Sequence, residues 1–379
     1  MKKFVLIPDS FKGTMSSLEI CGIMEKAIKA AIPGAEVRQI PVADGGEGSV
    51  DAFLRAVGGE KIAAVVQGPF GADIEAKYAL IDEGETAVVE MAACAGLPLA
   101  EGAENPEITT TYGVGQLMLD AARRGAKRII VGLGGSATND GGCGAAAAAG
   151  VRFYRRGAES PFVPAGGTLS EISRIDASGY DAALRGAEIT AMCDIDNPLY
   201  GPEGAAHIFG PQKGADAAMV ERLDLGLRNL AEKVKESLGL DISDMPGAGA
   251  AGGMGAGMSA FFGARLQMGI DAVLDAVKFE EAISGADLIL TGEGKIDGQS
   301  LRGKVVVGVA RRAKASGVPV AAIVGDIDPA ARGAYNEGVA GIFTINTLAE
   351  EFAKSKLRAR EDLAFTVENL VRFCAGAGL

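Results

Sequence analysis

The 379-residue chain has no tryptophan, one histidine and six tyrosines. Each scarcity excludes something. With His207 alone, a metal centre built from several histidines is impossible, and a Ser-His-Asp triad would have to use that one residue. The five cysteines, at 21, 94, 143, 193 and 374, include no C-x-x-C pair, so a zinc ribbon is unsupported. Unpaired cysteines fit a reducing cytoplasm. Long apolar runs are also missing. Only four apolar residues, Phe4-Val5-Leu6-Ile7, precede Pro8-Asp9, short of the ~7–15 of a secretory leader, and none reaches the ~18 of a membrane span. Positive charge is scarce as well. Lys and Arg total 37 against 49 Asp and Glu, a net charge of −12. That excess repels nucleic acid and anionic membranes, so neither is an expected partner.

Glycine, in contrast, is abundant. The 55 residues are about twice the usual ~7% share, and they cluster without a period. Clustered glycine marks tight loops where backbone must approach something closely. The elements between these clusters are legible. Phe4–Ile7 reads as a buried strand. Ser16-x-x-Glu19 is a capping box, followed by Leu18, Cys21, Met24 and Ile28 at helical spacing. A strand over 37–41 and a helix over 49–56 complete a β-loop-α-β-loop-α start, the grammar of a parallel sheet. The C-terminal part resumes it, with strands over 287–291, 318–324 and 341–345 separated by helices, and a closing helix reaching Cys374. The middle differs. Strands over 62–66, 77–81 and 87–91 follow one another with no helix between, and a long helix covers 217–238.

The expected architecture is therefore α/β with two domains. A discontinuous parallel-sheet domain is built from 1–70 and 286–379, and a mixed α+β domain over 71–285 is inserted into it. Length supports more than one domain, since single cores rarely grow beyond ~250–300 residues.

Six loops combine glycine with charged or amide residues, and most follow a predicted strand, where open α/β sheets bind ligands. Asp9-Ser10-Phe11-Lys12-Gly13 offers a lysine to a phosphate or carboxylate. Asp44-Gly45-Gly46-Glu47-Gly48 sets two acids around glycines before a helix, and Asp44 suits Mg²⁺ or a hydroxyl proton. The run from Gly132 through Gly134, Gly135, Ser136, Thr138, Asn139 and Asp140 to Gly142 can form an anion nest of backbone N–H groups, with Asp140 available to a metal. In Cys193-Asp194-Ile195-Asp196-Asn197-Pro198 an extended backbone would place both acids on one face. Phe209-Gly210-Pro211-Gln212-Lys213-Gly214 offers a second lysine. Thr291-Gly292-Glu293-Gly294-Lys295-Ile296-Asp297 mixes acids, a base and glycine after a strand. Two apparent motifs fail. Gly247-Ala248-Gly249-Ala250-Ala251-Gly252 matches G-x-G-x-x-G, but Ser243-Asp244-Met245-Pro246 before it is no strand. Gly298 to Lys304 approximates a P-loop, but Val305 stands where Ser or Thr should bind Mg²⁺.

Together the six loops resemble the bacterial type I glycerate kinases, in order, from about residue 2 to residue 375. The resemblance implies two α/β domains, one discontinuous and Rossmann- or flavodoxin-like, with the active site in the cleft between them. It implies transfer of the γ-phosphoryl group of Mg·ATP to a hydroxyl of D-glycerate, with the 2-position favoured over the 3-position, in a monomer or homodimer. Phosphoryl transfer needs positioning, charge neutralisation and an oriented hydroxyl. On that basis the nucleotide is expected at Gly134, Gly135, Ser136, Thr138, Asn139, Lys213, Gly292 and Glu293. The hydroxy acid is expected at Asp9, Ser10, Lys12 and Ser136. Lys12, Lys213 and Lys295 would neutralise charge, and some of Asp44, Asp140, Asp194 and Asp297 would hold Mg²⁺. Asp194 or Asp44 would accept the proton. Two rivals make different demands. A nicotinamide-dependent hydroxy-acid dehydrogenase needs a strand–G-x-G-x-x-G–helix unit, which is absent. A non-catalytic anion binder needs the lysines and glycines but not so many carboxylates.

Overall fold

The computed structural model describes residues 2–42 and 45–378. Strands β1 (Lys3–Pro8) and β2 (Glu36–Gln39) open the chain. β3 (Glu60–Gln67), β4 (Asp73–Ile81), β5 (Thr86–Glu90) and β6 (Arg128–Gly132) follow. Next come β7 (Arg152–Arg155), β8 (Ile172–Asp176), β9 (Glu188–Met192) and β10 (Arg265–Gln267). β11 (Leu288–Ile296), β12 (Val320–Ile327) and β13 (Val339–Thr344) complete the set.

The chain divides into two compact units. One comprises Met1–Ala43, Arg55–Val57 and Met268–Leu379; the other comprises Asp44–Leu54 and Gly58–Gln267. The first holds an all-parallel sheet in the order β13-β12-β11-β1-β2. Counted within that sheet the order is 2-1-3-4-5, the flavodoxin-like arrangement. β1 is apolar and buried at every position from Phe4 to Ile7, because a central parallel strand is covered on both faces. Phe4 and Leu6 join Met24 and Ile28 of the helix Ser17–Ala31 and Leu363 and Val367 of the helix Phe352–Gly376 in one core. Ser16 caps the first of these helices by accepting from the Glu19 N–H at 3.2 Å.

The second unit holds a mixed sheet in the order β10-β9-β6-β5-β4-β3. β3, β4 and β5 are antiparallel neighbours, whereas β5, β6, β9 and β10 run parallel. β7 and β8 form a separate antiparallel ribbon. The long helix occupies Ala217–Leu238, the span expected from sequence, with Asp216 capping one end and left-handed Gly239 the other.

Three expectations change. β3 was expected in the first domain, yet all eight of its residues pair with β4, which places it in the second unit. At the other end, the helix Gly269–Ala276 belongs to the first unit, where Ile270 packs against Gly308 of the helix Val305–Ala313. The boundaries thus fall near 44 and 267 in place of 70 and 286, because no change in composition marks them. Finally, Gly292–Lys295 is strand, not loop. Its turn-forming residues are overridden by pairing with β12, where Glu293 lies opposite Val324 and Lys295 opposite Asp326. Glycine is required at 292, where a Cβ would lie 2.1 Å from the Ile323 carbonyl oxygen. Among the described residues no helix is long and apolar enough to cross a membrane.

Candidate active site

In the first unit the strand order reverses between β1 and β11, the switch point at which such sheets bind ligands beyond their carboxyl ends. Two segments meet there. The Asp9 N–H donates to the Gly292 carbonyl at 2.8 Å, and the Asp9 carboxylate accepts from the Ser10 N–H at 2.7 Å. The next residues close a tight turn in which the Phe11 and Met15 backbones bond each other at 2.9 and 3.0 Å. Lys12 stands exposed at its tip, on the rim of a concavity of about 440 Å³ lined also by Ser10, Thr14, Ser16 and Glu19. Ser17 secures the base, donating to the Pro8 carbonyl at 2.6 Å and accepting from the Val42 N–H at 2.8 Å.

Across the switch point stands Glu293, only 6% exposed. The Ser300 side chain bonds its carboxyl group, but Oε1 is buried with no hydrogen-bond partner. Burial raises the Glu293 pKa to about 7; Asp9 and Asp297 add to the rise, and Ser300 and Lys304 oppose it. Asp297, a metal candidate by sequence, holds the following turn, with Oδ1 accepting from the Gln299 N–H at 2.8 Å and the Ser300 N–H at 3.2 Å. Lys295 is exposed and pairs with Asp326 at 3.4 Å.

In the second unit the Gly132–Gly142 run follows β6. Its first glycines exist for close packing. A Cβ on Gly132 would meet the Gly45 carbonyl oxygen at 2.3 Å, and one on Gly134 would meet the Gly46 Cα at 2.6 Å. The far end of the loop packs on the very segment that mimics a dinucleotide fingerprint. Cβ atoms on Gly252, Gly253 and Gly257 would strike Thr138, Gly141 and Gly142 at 2.0, 3.0 and 2.9 Å.

Two buried charges organise this loop from within. Lys213, 2% exposed, donates from Nζ to Ser136 Oγ at 2.9 Å and to the Thr138 carbonyl at 2.7 Å. Burial lowers its pKa to about 7, against the pull of Asp140. Asp140 is fully buried. Its Oδ2 accepts from the Thr111 N–H (2.8 Å), the Thr111 hydroxyl (2.9 Å) and the Gly144 N–H (3.2 Å). Its Oδ1 accepts from the Gly142 N–H at 3.1 Å. Burial raises the Asp140 pKa and these bonds oppose it. A carboxylate so engaged braces the loop from within. Thr138 Oγ1 and both amide atoms of Asn139 are buried without a partner. Leaving such groups dry costs about 1–3 kcal/mol each.

Asp194 follows β9 and is half-buried, and Asp196 is exposed. β9 ends at Met192, so strand alternation does not set their direction. Cys193 is an inert thiol whose pKa is raised by burial. Asp44 lies outside the described residues. The predicted residues therefore fall into sets. Ser136, Thr138, Asn139 and Asp140 share one loop, and Lys213 reaches it from the turn Pro211–Lys213; Asp9, Ser10 and Lys12 lie opposite Gly292 and Glu293, with Lys295 and Asp297 further along. Among the described residues no three His, Cys, Asp or Glu side chains group as a metal site. Mg²⁺ needs no such group when it arrives with phosphates, since one or two carboxylates then suffice.

Sequence reasoning missed Glu90 and Thr111. Glu90 is buried at the end of β5, where it accepts from the Gly48 and Val50 N–H groups and so holds the start of the helix Ser49–Val57. An acid closing an apolar strand was the available signal. Thr111 gave none, because its partner Asp140 lies 29 residues away.

The family model described as "Glycerate kinase family" matches residues 4–375. A glycerate kinase of Bacillus subtilis strain 168 is 45% identical over 90% of both chains. A glycerate 2-kinase of Escherichia coli K12 is 44% identical over 92% of this chain and 93% of its own. The crystal structure of a protein assigned as glycerate kinase 2 from Salmonella typhimurium LT2 covers both chains fully, with a TM-score of 0.86 and 39% identity. With the flavodoxin-like sheet, the inserted mixed sheet and the glycine loops in place, these matches establish that the chain is a kinase belonging to the glycerate kinase family.

Proposed function

We propose that this kinase transfers the γ-phosphoryl group of ATP, carried as its Mg²⁺ complex, to the 2-hydroxyl of D-glycerate. The single observation that carries the reading is the Ser136–Asp140 loop with Lys213 behind it. There a buried ammonium keeps one of its three donors unused while a hydroxyl and a carboxamide stand unpartnered. An anion is the natural occupant. A phosphate or carboxylate there would accept these donors and favour the charged form of Lys213.

Catalysis of this reaction rests on position and charge. In the proposal the Gly134–Gly142 loop holds phosphate oxygens, and Lys12 and Lys295 neutralise the hydroxy-acid carboxylate and the moving phosphoryl group. Bound Mg²⁺ supplies charge neutralisation on the phosphates. Within the first unit the Asp297 oxygen not engaged in the turn is the described group suited to hold it. The preference for the 2-hydroxyl is supported by the name of the Escherichia coli relative. The cytoplasm is the proposed compartment, where the five buried, unbridged cysteines stay reduced.

The test is ADP release from Mg·ATP with and without D-glycerate, with the product resolved by NMR. Glycerate-dependent release yielding the 2-phosphate is the expected result. Release yielding the 3-phosphate would correct the position, and no stimulation in a folded, ATP-binding sample would overturn the substrate.

A further inference from the structure

Alcohol phosphorylation must dispose of a proton, and the first unit contains a carboxyl group arranged for that task. Glu293 lies on β11 immediately beyond Gly292, which pairs with Pro8 of β1, so it stands at the switch point beside Asp9. Its setting is unlike that of the other acids there. The Asp9 carboxylate accepts from the Ser10 N–H, and Asp297 accepts from two N–H groups. Glu293 has the Ser300 side chain on its carboxyl group and Oε1 buried with nothing bonded to it. Ser300 Oγ accepts from the Asp297 N–H at 3.1 Å, which leaves its own proton to point at Glu293. The carboxyl group is thus held in one orientation with one oxygen buried and unpartnered.

We propose that Glu293 Oε1 is the proton acceptor for the substrate hydroxyl in the reaction proposed above. The O–H bond breaks as the new O–P bond forms; the proton passes to Glu293, and the bond from the γ-phosphorus to the leaving nucleoside diphosphate breaks. Glu293 then returns the proton to water. The inference rests on the kinase reading and assigns it a residue that sequence reasoning had placed with the nucleotide.

The charged groups facing Glu293 are Asp9 from the loop after β1 and Asp297 and Lys304 from the segments after β11; the Lys295–Asp326 pair is exposed nearby. Burial and the two carboxylates outweigh Lys304 and Ser300, and the resulting pKa near 7 suits a base working at neutral pH. Asp9 beside it is half-exposed and accepts from the Ser10 N–H.

The experiment measures kcat for Mg·ATP and D-glycerate from pH 5 to 9, with calorimetric Kd values for each ligand. Wild type is expected to show a single acid limb in kcat. Glu293→Gln should lower kcat at least 100-fold and abolish that limb, while both Kd values stay within threefold. Ser300→Ala removes a bond that favours the carboxylate, so it should move the limb to higher pH. If Glu293→Gln does not fold, Glu293→Ala assayed with added formate takes its place, and recovery of activity supports the assignment. The inference is overturned if Glu293→Gln retains kcat within threefold, if the limb persists in it, or if a tenfold weaker Kd accounts for its defect. Absence of glycerate-dependent turnover in wild type would instead overturn D-glycerate as the substrate proposed above.

Discussion

Two glycine-and-acid loops, one in each unit, look alike as sequence and differ as chemistry. In the second unit, Asp140 and Lys213 are buried and bonded to the chain itself. In the first, Lys12 and Lys295 are exposed, and Glu293 keeps an unpartnered oxygen. Bonds within the second unit hold its two charges in place and leave one Lys213 donor unused, whereas the first unit presents its lysines at the surface. Loss of a buried, bonded charge should therefore show first in stability, and loss of an exposed one in turnover.

The comparison breaks most readily at Gly252. Its φ is +70° and an added Cβ would lie 2.0 Å from the Thr138 carbonyl oxygen, so Gly252→Ala combines backbone strain with overpacking, about 3–5 kcal/mol. A urea titration should register that loss, and a loss below about 1 kcal/mol would mean that the two glycine segments do not brace each other. Asp140→Ala strands four donors in a dry interior and should cost about 3 kcal/mol. An equally stable variant would show that Asp140 is kept for ligand binding instead.

Lys213 gives a pH signature. Its folded pKa, about 7, lies below its ordinary 10.5, so between these values the unfolded chain binds the extra proton. Stability must therefore rise with pH across that window, after the burial penalty has been fully felt below it. Thermal melts should show wild type gaining on Lys213→Met between pH 6.5 and 9; parallel curves would mean that the buried ammonium is not strained. Ser16→Ala removes one helix cap and should cost about 1 kcal/mol, visible as a small shift in the same melts. Lys295→Ala breaks only an exposed pair and should leave the melting temperature unchanged, so that any fall in turnover reports lost charge at the site.

Much of the fold was legible because its signals are local. Buried parallel strands write themselves as apolar runs such as Phe4–Ile7, and the Ala217–Leu238 helix declares itself by period, an Asp cap and a terminal Gly. Most of the loops were legible as loops for a similar reason, since clustered glycine next to charge has few other uses; Gly292–Lys295, which is strand, was not. What each loop does was less legible. Asp140 and Asp297 offered the same carboxylate as Glu293, and only their hydrogen bonds separate brace, turn and open acid. The G-x-G-x-x-G run at 247–252 could be rejected as a nucleotide motif without revealing that its glycines let backbone lie against backbone.

By itself the sequence determined the alternation of strands and helices, the split of the parallel domain between the two chain ends and the positions of most of the glycine-rich loops. Each of these is set by residues within a few positions of one another, where periodicity and capping act. The tertiary structure alone decided that β3 pairs with β4 in the second sheet, that β11 runs on through Glu293 and Lys295, and that Lys213 turns inward. Those outcomes depend on partners that lie close in space but far along the chain: Lys213 meets Ser136 across 77 residues, and Asp9 meets Gly292 from more than half the chain away. Burial and pairing, which decide whether a charge braces or reacts, exist only once such distant segments have come together.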